Sequence, residues 1–408
     1  MAYMRVRCCT SFVTRLQWLR SGAPSFGFST SEEERSSIKE RGPYASRLKS
    51  RGVVLLEGED TFHFLQGLVS NDLRRLQQEP PPSEAALPTP NQPVALAQPL
   101  YATLLNPQGR FLFDAFLYRS PNPTHRLDPS GSAPGNDGSV SLLCEVDAAT
   151  IDDFLGHLKK HRLRTKVNFE DVSKELVVWQ RYGGSLLQDN QENKDAETKS
   201  SGWGAASDPA AQAALEGTNK GYAWFKDPRC GDLGYRGVFS SDTNPPLVEA
   251  GKEVEEIYYL LMRLELGVAE GCSEIPKEKA IPLEYNLAWL NAISFDKGCY
   301  VGQELIARTQ HRGVIRKRVM PIRFINDSGE DVKHDVVPGA EILDSTTQKK
   351  VGDITTVLGS RGLGLIRLEA VLKNAAPLIV KDRSGVHVQA YRPKWWPADW
   401  CPEDLQHS

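Results

Sequence analysis

The octapeptide Lys297-Gly298-Cys299-Tyr300-Val301-Gly302-Gln303-Glu304 sets a lone cysteine between two glycines and among ionisable side chains. A thiol attacks, or binds a metal, as the thiolate, and its pKa falls from about 8.5 when a cation or the amides of a helix start stand close. Lys297 is the nearest cation in sequence. Gln303 to Arg308 are mostly good helix formers, so Cys299 is expected just ahead of a helix whose positive end favours an anion. Gly298 and Gly302 would let the backbone turn tightly or approach a ligand closely. On these residues alone two readings stay open: a reactive or metal-binding thiol, and a buried cysteine that happens to lie beside a turn.

The remaining cysteines limit the chemistry. Cys8 and Cys9 lie in an amino-terminal stretch with Arg5, Arg7, Arg15 and Arg20 and no acidic residue before Glu32, the composition of an organellar transit peptide. Residues 1–38 are read as a mitochondrial transit peptide and disordered tail, with a plastid address or a merely disordered tail as the alternatives. Beyond it stand Cys144, Cys230, Cys272, Cys299 and Cys401, without any C-x-x-C pair. That is neither a disulfide framework nor a zinc finger, and it offers no four-thiolate cluster site. Iron or cluster ligation through Cys299 would have to be transient or shared with a partner.

The elements that would carry these groups read as mixed β and α. Arg51 to Leu56 is a strand, and Asp60 caps a helix bearing Phe64, Leu65, Leu68 and Val69. Asn106-Pro107-Gln108-Gly109 is a turn joining Ala102 to Leu105 with Phe111 to Tyr118 as a hairpin. Leu142 to Val146 is a strand, Ile151, Phe154, Leu155 and Leu158 mark a helix, and a further strand lies near Val167. Val254, Ile257, Tyr258, Leu261 and Leu264 form another helical stripe. Hairpins without strict βαβα alternation predict an α+β fold. Short apolar runs after Met320 predict a small C-terminal β-barrel over 319–408, following a body over 39–318. Pro-, Ser- and Gly-rich or polar stretches near 79–98, 120–138 and 187–220 read as surface insertions.

With 408 residues, 40% of them hydrophobic, the chain can bury a large core. A formal net charge of -3 argues against a general nucleic-acid binder, and no window approaches the length of a transmembrane helix, so no membrane partner is expected. His157 and His161 stand at metal-clamping spacing, but Leu158, Lys159 and Lys160 between them supply no carboxylate, and a solvated basic face is expected. Arg308, His311, Arg312, Arg316, Lys317 and Arg318 concentrate positive charge after the cysteine, as an anion site or an ordinary solvated face. Trp395, Trp396 and Trp400 read as packing anchors.

The cysteine octapeptide, with Ile281 to Leu287, Ile293 to Asp296, Ala307-Arg308 and His311-Arg312-Gly313, resembles the YgfZ family. That family is the branch of the folate-binding, T-protein-like (aminomethyltransferase) superfamily with the K-G-C-Y-x-G-Q-E signature. Phe64 to Asp72, Leu105 to Arg110, Asp227-Pro228-Arg229 and Leu233 to Arg236 extend the likeness from about residue 42 onward. The resemblance is to its eukaryotic mitochondrial members.

It implies a T-protein-like body of ferredoxin-like subdomains and an assembly factor for [4Fe-4S] proteins in the mitochondrial matrix. Its partners would be A-type scaffold proteins and apo target proteins. It further implies tetrahydrofolate at Asn106, Asp114, Arg229, Tyr235, Arg263 and Glu265, a transient iron–sulfur cluster held with a partner, and Cys299 with Lys297 as the functional pair. The alternatives are a tetrahydrofolate-dependent one-carbon transferase and an inert adaptor. Glycine-cleavage T-proteins carry two adjacent aspartates where this chain has Phe113-Asp114, so T-protein-type aminomethyl transfer is not expected.

Overall fold

A computed structural model describes residues 42–77, 97–120, 140–187, 224–249, 251–332, 336–372, 377–397 and 400. The expected amino-terminal leader, the bulk of the three insertions and Cys401 lie outside the described residues.

One antiparallel sheet pairs β3 (Leu100–Leu105), β4 (Phe111–Arg119), β5 (Val140–Asp147), β2 (Arg51–Gly58) and β6 (Asn168–Asp171) in that order. Its side chains divide by alternation. Val54, Leu56, Ala102, Leu104, Ala115, Leu117 and Cys144 pack with the helices Thr61–Gln66 and Ile151–Arg162, while Val53, Tyr101, Phe116, Tyr118 and Leu143 join the opposite core. A β-bulge interrupts the alternation. Leu104 opposes Phe113 and Leu105 opposes Phe111, so Leu112 is the extra residue, and Leu112 and Phe113 both enter the helix-side core.

A second antiparallel sheet orders β1 (Tyr44–Arg47), β7 (Leu176–Tyr182), β9 (Tyr235–Ser240) and β8 (Phe225–Lys226). Packed with it is the helix Glu256–Leu266, whose Tyr259, Leu261 and Leu264 are buried and whose end is capped by left-handed Gly267. This α+β body meets a closed antiparallel barrel of β10 (Lys317–Ile325), β13 (Arg361–Arg367), β12 (Lys350–Leu358), β11 (Glu341–Asp344), β14 (Leu378–Val380) and β15 (His387–Ala390). Polar clasps join the two: Trp395 Nε1 donates to Leu266 O at 2.7 Å, and Asn286 Nδ2 to Val319 O at 2.9 Å. The tryptophans are packing anchors as expected, with Trp396 2% exposed. Arg318 leaves the basic run and turns inward, its guanidinium 3.2 Å from the Trp400 ring centre and bonded to Asn286.

Candidate functional site

Cys299 is exposed, in an irregular segment between the 281–292 turns and the helix Gln303–Arg312. Its helix starts where the sequence places it, with left-handed Gly302 as N-cap. Gly302 fits because a Cβ there would lie 2.5 Å from Asn106 O and 2.8 Å from Leu105 Cβ. Gly109 answers from the hairpin turn, where a Cβ would lie 2.6 Å from Leu305 Cβ. Helix and turn therefore approach backbone to backbone. Gly298 has no such duty, since a Cβ there would meet nothing within 4 Å. Gln303 and Val301 are half-buried, Tyr300 is buried, and Glu304 is exposed in the first turn of the helix.

Lys297 directs its ammonium to backbone carbonyls of the 66–71 segment. It is 5% exposed, and its Nζ donates to the carbonyl oxygens of Gln66 at 2.6 Å, Val69 at 2.6 Å and Asn71 at 3.0 Å. An ammonium has three donors, and three carbonyls take them. Burial pushes the Lys297 pKa down to about 8, and the Tyr300 ring centre lies 5.0 Å from Nζ. Two backbone bonds run alongside, Ser294 N–H to Ser70 O at 3.0 Å and Val301 N–H to Gly67 O at 3.1 Å. Ser70 Oγ also donates to Ala292 O at 2.7 Å, and Asn71 Nδ2 to Asn291 O at 2.6 Å. The segment 67–71 thus holds the Cys299 segment from beneath. Ser70 and Asn71 were not singled out as site residues from sequence; their signals were the polar Ser-Asn-Asp following an apolar run and their place in the Phe64 to Asp72 stretch of the resemblance.

The other described cysteines are poorly suited to react. Burial raises the Cys144 thiol, takes Cys230 up to about 11, and takes Cys272 up to about 12. No group of three or more metal-ligating side chains occurs among the described residues. The histidine pair is not the solvated face expected: both rings are half-buried, His157 lies 5.8 Å from the Phe113 ring centre and burial pushes its pKa down to about 4, while His161 Nδ1 lies 2.9 Å from His157 O.

A second polar centre lies between the sheets. Arg51, Arg229 and Arg236 surround the Phe116 ring, with guanidinium carbons 5.7, 4.8 and 4.2 Å from its centre. Arg51 binds Asp114 at 3.1 Å and Glu145 at 2.8 Å, Arg229 binds Asp227 and Glu270, and Arg236 binds Glu145 and Glu270. Burial would lower these arginines, but the facing carboxylates more than offset it and hold them raised. Burial alone would raise Glu270, yet Arg236, Arg229, Arg263 and Arg51 hold it well below the usual carboxylate range.

The six residues assigned to folate by resemblance divide. Asp114, Arg229 and Arg263 meet around residues 270–274: Gly271 N–H donates to Asp114 at 3.1 Å, and Arg263 grips Glu274 through two bonds of 2.8 Å. Asn106 builds the turn under Gly302, accepting from Arg110 N–H at 2.8 Å. Tyr235 packs against the outer cluster of Trp179, Trp224 and Phe239, and Glu265 faces the barrel, 4.0 Å from Arg361 Nε. Both candidate cations are spoken for. Arg229 donates to Asp227, Glu270 and Tyr259, and Arg263 to Glu274 and Val268 O. These residues, as packed, do not fit a folate carboxylate tail.

Comparison with known proteins matches residues 316–398 to the CAF17 C-terminal beta-barrel domain. The mitochondrial iron-sulfur cluster assembly factor IBA57 of Homo sapiens is 35% identical over 353 residues, covering 86% of this chain and 85% of its own. Its Mus musculus counterpart is 34% identical with the same coverage. The Mycosarcoma maydis homologue is 30% identical over 393 residues, 87% of this chain and 85% of its own. Among solved structures, the glycine cleavage system aminomethyltransferase T of Bartonella henselae superposes with a TM-score of 0.56 at 13% identity, over 88% of this chain and 87% of that one, so the fold is the T-protein fold. Built on that fold, with a matching barrel and relatives at this identity over most of both chains, the chain belongs to the IBA57 family of mitochondrial iron-sulfur cluster assembly factors.

Proposed function

We propose that this protein is an iron–sulfur cluster assembly factor of the mitochondrial matrix, serving the maturation of [4Fe-4S] proteins, with Cys299 as its cluster ligand. The names of its relatives support the class. The observation that carries the residue is an exposed thiol on a segment clasped by Lys297, while every other described cysteine is buried or half-buried. The cluster is cargo. Cys299 loses its proton to solvent and forms one sulfur–iron bond, and the remaining ligands come from a partner, an A-type scaffold protein carrying its own thiolates. Phe295, 40% exposed and four residues before Cys299, gives that partner an apolar contact.

Tetrahydrofolate binding is supported by the shared fold alone. Because Arg229 and Arg263 are already paired with carboxylates, no step of the proposed function passes through folate.

The test is rescue of mitochondria depleted of this protein. Cys299→Ser should import, fold, and fail to restore matrix [4Fe-4S] enzymes, while Cys230→Ser and Cys272→Ser restore them. A scaffold protein should co-purify with the wild type, and the isolated protein should show no stable iron–sulfur absorbance. Full rescue by Cys299→Ser would remove the thiol from the account.

A further inference from the structure

At the far end of the helix Thr61–Gln66 from the Lys297 clasp, residues 159–166 form a different surface. The helix Ile151–Arg162 ends in Lys159, Lys160, His161 and Arg162, followed by Leu163, Arg164, Thr165 and Lys166. Cations at a helix C-terminus have an ordinary reason, the negative end of the helix dipole. Leu163 has none. It is 88% exposed, the largest exposure of any large apolar side chain described, and its φ of 46° lies in the left-handed region that favours glycine. A glycine or a polar residue would cost the fold less at such a cap.

The charges around it are also unspent. Lys159, Lys160, Arg162 and Arg164 are exposed and have no carboxylate partner among the described residues; only Lys166 is paired, with Glu59 at 3.0 Å. Asp60, which accepts the Lys166 N–H, and Glu59 are the acidic groups at the edge. Leu163, Arg164 and Thr165 line an open hollow with Asp60 and His63.

We propose that this tip docks the protein on an anionic lipid surface, with Leu163 entering the headgroup region and Lys159, Lys160, Arg162 and Arg164 meeting lipid phosphates. A bare leucine amid cations suits a membrane surface better than nucleic acid, which would match the charges and leave the leucine in water. The mode is peripheral, since no described helix is long and apolar enough to cross a membrane.

The test is sedimentation of the leader-free full chain with phosphatidylcholine vesicles, with and without phosphatidylglycerol. Binding should require the anionic lipid and weaken with salt. Arg162→Glu with Arg164→Glu should weaken it by at least roughly twentyfold, at about fivefold or more per cation. Leu163→Gly should weaken it by about tenfold while leaving Tm unchanged or raised, because glycine accepts the backbone there. Failure of the folded wild type to sediment with anionic vesicles overturns the proposal. So does equal binding by the variants, or tighter binding to single-stranded DNA than to vesicles. None of these outcomes bears on Cys299.

Discussion

Phe113 and Asp114 are chain neighbours that serve opposite faces of β4. The Phe113 ring meets Phe154 edge-on at 5.4 Å, while the Asp114 carboxylate sits 3.1 Å from Arg51 in the charged centre between the sheets. Past the bulge at Leu112 the strand alternates regularly, so Asp114 shares the inner face with Phe116 and Tyr118. The absence of a second aspartate is therefore a matter of helix packing in this protein, and the inner carboxylate is retained but fully bonded.

Restoring the acidic pair should fail. Phe113→Asp removes a buried ring and places a carboxylate beside Phe154 and His157, and should cost about 3 kcal/mol or more in urea unfolding. Neither it nor the wild type should transfer an aminomethyl group to tetrahydrofolate in a reconstituted glycine-cleavage assay. Sustained wild-type turnover would favour the transferase.

The two glycines flanking Cys299 should respond differently. Gly302→Ala meets Asn106 O at a left-handed position and should lose about 2–3 kcal/mol, whereas Gly298→Ala enters open space and should stay within about 0.5 kcal/mol. Thermal unfolding of both separates them. Equal losses would show that the close approach of helix and turn does not limit the motif.

Lys297→Met should leave three carbonyl oxygens without their donor and destabilise by about 2–4 kcal/mol. Amide exchange should accelerate at residues 67–71 and 294–301 together, because the clasp joins them. If only the pKa of Cys299 changed, with exchange unaltered, the lysine would be acting on the thiol after all.

His157 makes acid stability testable. Its pKa is about 4 in the folded protein, below the ordinary value near 6.5, so between those pH values the unfolded chain holds the extra proton. Stability from this group is complete above about pH 6.5 and is lost as pH falls toward 4. His157→Asn should flatten that part of the profile in urea unfolding at pH 7 and pH 5. An unchanged slope would mean that His157 is protonated as readily in the folded state.

Local pattern determined much of this protein. The hairpin around Asn106 to Gly109, the helix Ile151–Arg162, the helix after Gly302 and five of the six barrel strands follow from turn residues and periodicity, which act over a few residues. The octapeptide marked Cys299 for the same reason. The second sheet was not legible: β7 pairs with β9 from beyond the polar stretch 188–223 and with β1 from far upstream, and no short-range signal records such partners. Nor could sequence show that Lys297 spends its three donors on backbone carbonyls. Its orientation is decided by carbonyls more than 200 residues earlier, brought beneath it only when the chain folds. The same holds for the arginines. The resemblance offers Arg229 and Arg263 as ligand cations, with structural salt bridges as the alternative reading, and in the fold each is balanced by carboxylates, because a buried charge is tolerated only when it is paired.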